Sequence, residues 1–153
     1  MSEAISIHKQ QAQFFDLKTP YLDQGRSRKN ASATEVMTVV GMVYAEGGEN
    51  AMHHHENEDH VFLIMQGEAT FHIESDDNIR VVKKFDGVMI PQGVNYWFIS
   101  SGDENLVMAR VGARHHEGRI TRAFPDGSPF DGSSEANKQV EMIVRPGPGF
   151  GDE

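Results

Sequence analysis

Residues 47–67 read Gly47-Gly48-Glu49-Asn50-Ala51-Met52-His53-His54-His55-Glu56-Asn57-Glu58-Asp59-His60-Val61-Phe62-Leu63-Ile64-Met65-Gln66-Gly67. Four of the eight histidines fall within eight residues here, and an apolar run, Val61 to Met65, follows at once. Imidazole is a common ligand for zinc, iron, copper and nickel. On a strand the side chains alternate, so His53 and His55 share one face while His54 takes the other. A strand through Val61 to Met65 that begins near His60 aims that ring into the same interior. His53, His55 and His60 are therefore the candidate donors of a metal site inside a small β-barrel. The competing reading is a solvated His-rich loop; the central position and strand-like flanks weigh against it.

Working outward, the segments on both sides read as short strands. Thr34 to Glu46 is rich in Val, Met, Thr and Tyr and stops at Gly47-Gly48, which favours one long strand. Beyond Gln66-Gly67-Glu68, strands are expected at Ala69–Glu74, Ile79–Phe85, Val88–Ile90, Val94–Ile99 and Asn105–Val111. Turn residues such as Ser75-Asp76-Asp77-Asn78 and Pro91-Gln92-Gly93 separate them. Phe14-Phe15-Asp16-Leu17 reads as a short strand, and Asp23 to Ser32, with Arg26, Arg28 and Lys29, as a solvated loop. After Gly112 the composition shifts to a basic patch (Arg114, His115, His116, Arg119, Arg122) and then to Pro- and Gly-rich turns, with one late strand at Val140–Val144. Many short strands and no amphipathic helix give an all-β barrel or sandwich. The divisions are an N-terminal arm (1–34), a barrel (35–112) and a C-terminal extension (113–153) that wraps the barrel or a partner subunit.

The whole chain sets bounds. Its 153 residues suffice for one core. Fourteen basic against 23 acidic residues give a formal charge of −9, which argues against nucleic acid as a partner. There is no cysteine, so disulfides and thiolate metal sites are excluded and any metal takes N or O donors. Neither a secretory h-region nor an apolar span of membrane length is visible, so a soluble cytoplasmic protein is expected.

With these residues placed, the chain resembles the cupin family of double-stranded β-helix barrels. The family's first motif, G-x5-H-x-H-x3–4-E-x6-G, is matched by Gly47, His53, His55 and Gly67, with His60 where the family has glutamate. Its second motif, G-x5-P-x-G-x2-H-x3-N, keeps Pro91 and Gly93, with Phe85 at the first glycine and Tyr96 at the third histidine. The resemblance implies a site of His53, His55, His60 and Tyr96 around one divalent transition metal. Fe2+ is the leading choice, and Zn2+, Mn2+ and Ni2+ are the alternatives. Three neutral imidazoles would leave the metal its full charge, favouring an anionic, chelating small-molecule substrate. Tyr96 is a ligand, a hydrogen-bond donor or acid/base at the reacting atoms, or a packed wall residue; these three roles stay open.

Asp59 fits the family spacing as an alternative third donor. Glu56 and Glu58 read as solvated loop acids. His72, mid-strand, reads as structural, and His115 and His116 as surface residues unless the tail folds over the barrel mouth. Phe62, Ile64, Met89, Trp97, Phe98, Met108 and Val111 are available to line a pocket, with Phe98 inward and Trp97 outward. The activity implied is that of a non-haem iron dioxygenase cleaving a C–C bond of a small diketone, hydroxy-ketone or aromatic compound. Its alternatives are a metal-dependent lyase, isomerase or hydrolase using Tyr96 as acid/base, and a non-catalytic small-molecule or sugar-binding module. A homodimer is expected by resemblance.

Overall fold

The computed structural model describes residues 10–152. Their strands, in order, are β1 (Leu22–Gln24), β2 (Arg26–Ala33), β3 (Met37–Tyr44), β4 (Gly48–His55), β5 (Glu58–Gln66), β6 (Glu68–Ile73), β7 (Ile79–Lys83), β8 (Gly87–Ile90), β9 (Tyr96–Ser100), β10 (Leu106–Arg114), β11 (Arg122–Ala123) and β12 (Ile143–Val144). One single-turn 3-10 helix, Glu135–Asn137, lies between the last two. Ten strands form two five-stranded antiparallel sheets, ordered β2-β3-β10-β5-β8 and β11-β4-β9-β6-β7. Between β4 and β10 the chain passes repeatedly from one sheet to the other. This is the double-stranded β-helix that the strand spacing and the resemblance imply.

Alternation decides what lies between the sheets. On β5, Phe62 and Ile64 point inward; on β9, Tyr96 and Phe98; on β3, Val40, Met42 and Tyr44. They form one core with Phe71, Leu106 and Met108. Phe62, Phe71 and Phe98 meet at ring centroids 5.0–5.6 Å apart. Trp97 lies outside and stacks on His72, with centroids 3.7 Å apart. A second apolar cluster covers the outer face of the first sheet, where Leu22, Val43 and Val107 pack with Tyr21 and Phe150. The two ends of the described chain hold it in place: β1 pairs with β12, and Thr19 bridges to Phe150. Asn105 clamps the same region, its side chain exchanging hydrogen bonds with the Leu22 backbone.

Several sequence expectations need correction. Asp23–Ser32 is not a loop: β2 pairs with β3 along most of its length and forms the edge of the first sheet. Its polar residues hid it, because a strand that lines a cavity carries no apolar alternation. Conversely, Phe14–Leu17 forms no strand, and Phe14 is exposed. The long strand from Thr34 begins at Met37, since Thr34 to Met37 closes the β2–β3 hairpin through Thr34 N–H to Met37 O. Met89 projects into solvent from edge strand β8, and Val111 is only half-buried. The tail, by contrast, lies against its own barrel, one of the two arrangements expected for it: β11 extends the second sheet beside β4, pairing Arg122 with His55.

Candidate metal centre

The inward face of β4 reads Glu49, Ala51, His53, His55, and that of β5 reads Glu58, His60, Phe62, Ile64. On β5 the ionisable pair comes first and the apolar residues follow, whereas on β4 only Ala51 is apolar. Glu49, His53, His55, Glu58, His60 and Tyr96 are all buried. Burying so many polar groups is costly unless each finds a partner.

Part of the set is closed by hydrogen bonds. His53 Nδ1–H donates to Ala51 O at 2.7 Å, and its Nε2 stands 3.3 Å from Glu49 Oε2. Tyr96 O–H donates to Glu49 Oε2 at 3.1 Å, and His55 Nε2 stands 3.1 Å from the same hydroxyl oxygen. Because the phenol proton goes to Glu49, His55 Nε2–H is the donor to Tyr96, and His55 Nδ1 keeps its lone pair. His60 Nε2 meets the Glu58 carboxylate, so its Nδ1 is left over. Three buried ring nitrogens, His53 Nε2, His55 Nδ1 and His60 Nδ1, consequently have no hydrogen-bond partner. His55, Glu58 and His60 each offer a donor atom within 4.8 Å of one another, and the His55 and His60 rings lie 4.0 Å apart. Orphaned nitrogens beside a carboxylate, with no sulfur present, fit a divalent transition metal.

The electrostatics agree. Burial first, then the charge His60 would carry, pushes His55 down to about 2, so its imidazole is neutral and available as a ligand. Burial alone would raise the Glu49 carboxyl, but the His53 imidazole 3.3 Å away outweighs it and holds Glu49 ionised. Glu58 is likewise held below the ordinary carboxylate range, contact with His60 outweighing burial. Burial, then Glu49, raises Tyr96 well above the usual phenol value. Its hydroxyl is thus a neutral donor and not a phenolate.

Room for Glu58 comes from β10. Gly112 pairs with both Thr38 and His60, and a Cβ there would stand 2.7 Å from Glu58 Oε2. Further along the same face of β10 lie Arg110 and Arg114, whose Nε atoms are buried without partners. Two cavities flank the cluster. One, about 480 Å³, is walled by Glu49, Tyr44, Arg26, Arg28 and Arg122; the other, about 650 Å³, by Glu58, Thr38, Arg28 and Arg110. The tail closes the first, with Phe130 5.0 Å from the His53 ring.

A histidine pair on one strand, a third histidine on the next and a P-x-G turn before Tyr96 now sit at one end of a double-stranded β-helix, and residues 41–112 match the family described as Cupin domain. Residues 41–112 form a cupin domain. Solved structures of similar fold include an uncharacterised double-stranded β-helix protein from Klebsiella pneumoniae (TM-score 0.58, 22% identity, covering 74% of this chain and 96% of that one). Two others are the Cnp3 cupin domain of Schizosaccharomyces pombe (TM-score 0.54, 18% identity, 61% and 67%) and KdgF from Halomonas sp. (TM-score 0.52, 21% identity, 59% and 80%). At such identities the likeness concerns the fold. No curated protein matches the chain in sequence.

Within this cupin barrel the expected residues separate. His55 and His60 converge, and Glu58 joins them. Reading Glu58 as a solvated loop acid is corrected: it opens β5 on the inward face and is 6% exposed. His53 is fully buried with its ring 5.4 Å from His55, but its free nitrogen faces Glu49. Tyr96 is fully buried between His55 and Glu49. Asp59 points outward, accepting from Gln92 N–H and His115 Nε2–H, both at 2.8 Å. His54 turns away and donates to Asn95 Oδ1. His72 is structural, and His115 and His116 stay near the surface. Sequence reasoning missed Glu49. The signal was present: four residues before His53, it shares the inward parity of the strand. Among the described residues no helix is long and apolar enough to cross a membrane.

Proposed function

We propose that this cupin is a metal-dependent enzyme whose divalent ion is held by His55, His60 and Glu58, with His53 beside them turned to Glu49. The carrying observation is the set of buried, partnerless imidazole nitrogens beside Glu58. Two imidazoles and a carboxylate with open positions are the donor set of non-haem iron oxygenases. The first reading is therefore an iron dioxygenase that cleaves a C–C bond of a small diketone, hydroxy-ketone or aromatic substrate chelated through two oxygens. When bound, the metal would supply substrate polarisation and the site of dioxygen activation.

The chain's own residues prepare that chemistry. Tyr96 accepts from His55 Nε2–H and donates its own O–H to Glu49, locking the His55 tautomer with one lone pair toward the cavity. Such outer hydrogen bonds orient ligands and raise their basicity. Tyr96 is in this reading a positioning residue; its proton is committed to Glu49 and is not free for a substrate oxyanion. Phe62 and Phe71 exclude water behind the cluster. Glu58 also changes the charge argument: as a donor it would leave about one positive charge on a divalent ion, so attraction for an anion has to come from elsewhere.

Two His and one Glu also suit zinc, which supports the second reading, a lyase, isomerase or hydrolase using Zn2+, Mn2+ or Ni2+. The raised Tyr96 pKa counts against that phenol as its base. Metal analysis of untagged protein is expected to give about one transition metal per chain. Oxygen consumption with a diketone panel then supports the dioxygenase. Turnover without oxygen uptake supports the second reading, and a folded, ligand-binding, metal-free chain supports a non-catalytic binding module. A homodimer belongs to the proposal: Leu63, Phe85 and Met89 are exposed around edge strand β8. Sedimentation of the wild type beside Met89→Lys tests it, and a wild type that sediments as a monomer ends it.

A further inference from the structure

The first sheet carries two arginines, Arg28 and Arg110, on its inward face; Glu49 and Glu58 feel the charge of Arg110, but no carboxylate closes an ion pair with either among the described residues. In register, Arg28 on β2 lies opposite Met42, which lies opposite Met108, while Asn30, Val40, Arg110 and Phe62 form the adjacent row. The next row is Thr38, Gly112, His60 and Ile90. Arg110 is thus one inward position from the His60 row. Arg28 and Arg110 wall the same cavity as Glu58, and Arg28 also walls the one that contains Glu49. Neither forms an ion pair among the described residues. Arg110 Nε is buried and partnerless.

Two other basic residues near the mouth, Arg26 and Arg122, have structural duties. Arg26 donates to Gly48 O and Asn137 O, tying the tail to β4. Arg122 stacks its guanidinium 4.3 Å from the Phe130 ring centroid. Arg28 and Arg110 have no comparable partner. Two guanidiniums at one cavity repel each other, and Arg110, whose Nε is buried, is costly to desolvate without an anion, while Arg28 stands open to solvent on the edge strand. The pair sits on a chain whose formal charge is −9, where steering of anions by net charge is excluded and only a local site can serve.

We propose that Arg28 and Arg110 form an oxyanion subsite for the carboxylate or phosphate group of a substrate whose other end reaches His55, Glu58 and His60. The proposal rests on the metal-centre reading for that second contact, but the subsite itself does not require a metal. Guanidinium donors pair with planar carboxylates in two parallel hydrogen bonds and also hold phosphate. The substrate class becomes a small oxo or hydroxy compound carrying one fixed negative group, not a neutral diketone.

The test is calorimetric titration of chelator-treated protein with succinate, inorganic phosphate and uncharged succinamide, at low and high salt. Succinate or phosphate is expected to bind and succinamide not; the tighter of the two tells carboxylate from phosphate. Arg28→Gln and Arg110→Gln are each expected to weaken binding roughly tenfold or more, and Arg28→Lys to recover part of it. Arg110 also faces Glu49 and Glu58. Should Arg110→Gln fail to fold, Arg28→Gln on the open edge strand carries the test alone. Anion binding that is absent, or equal in wild type and Arg28→Gln, overturns the subsite. Metal titration of the same proteins separates the two readings: Arg28→Gln is expected to keep the metal. A wild type that binds the anion but no metal would sink the metal centre and leave the subsite standing.

Discussion

Gly112→Ala tests the core of the site with one methyl group. The new Cβ would lie 2.7 Å from Glu58 Oε2, 2.8 Å from Glu58 Cδ and 2.9 Å from Thr38 Oγ1. Comfortable heavy-atom contacts begin near ~3.5 Å, so the carboxylate has to retreat by roughly half an ångström or more. It is buried against His60 and has little room. Overpacking of this kind costs about 1–3 kcal/mol. Replacing glycine within a strand would return about 0.5–1 kcal/mol through lower unfolded-state entropy. The net destabilisation spans about 0–2.5 kcal/mol and centres near ~1 kcal/mol, a fall in Tm of roughly 2–4 °C for a chain of this size. If Glu58 is a donor, metal affinity should also fall about tenfold or more, as it does when ligand geometry is disturbed. Thermal unfolding of chelator-treated protein and competitive metal titration read the two effects separately. In a Glu58→Ala background most of the clash is gone, and the cost of Gly112→Ala should shrink. A Gly112→Ala protein as stable as wild type, with unchanged metal affinity, would refute both the packing argument and the place of Glu58 beside the metal.

Tyr96→Phe should retain the metal but lose about 1–3 kcal/mol, because Glu49 stays buried without its phenol donor; metal loss in that variant would make the phenol a ligand. Loading wild type with Fe3+ should give no phenolate charge-transfer absorption, and such a band would show that Tyr96 ionises. Acidification should erode the stability of metal-free protein from about pH 6.5 downward. His55 has a folded pKa near 2 against an ordinary value of 6.5, so over that window the unfolded chain binds the extra proton. Glu49, also depressed, adds to the loss below its ordinary 4.5. Glu49→Gln should flatten only the lower limb; a profile flat from pH 6.5 to 4.5 in wild type contradicts a buried neutral His55. Both His55→Ala and Glu58→Ala should lose the metal in plasma emission analysis, whereas Asp59→Ala should keep it.

The barrel was legible because its strands alternate and its turns carry Gly, Asp and Asn. Alternation set His53 and His55 on one face and let His60 aim inward with them, while Tyr96 was placed by the resemblance of its P-x-G turn to the family motif. Parity also held the answer for Glu49 and Glu58, but acidic residues beside a His run read as solvent-facing when composition is weighed over register. The burial of Glu58 depends on Gly112, some fifty residues away in sequence, and no local pattern announces that pairing. Strand β2 was hidden for the opposite reason. Its inward residues are Arg26, Arg28 and Asn30, so the face that matters for the cavity reads as a polar loop.

That concealed edge strand has a practical consequence. Trimming the protein to residues 41–112, the part that matches the family, would strip β3 of its outer neighbour and of half its own length. It would remove Arg28 and expose the oily patch of Val43 and Val107 that Leu22 and Phe150 shield. The two termini act as a clasp on the outside of the barrel. A minimal fragment should therefore aggregate, and a version meant for expression or crystallisation should keep residues 19–150 together.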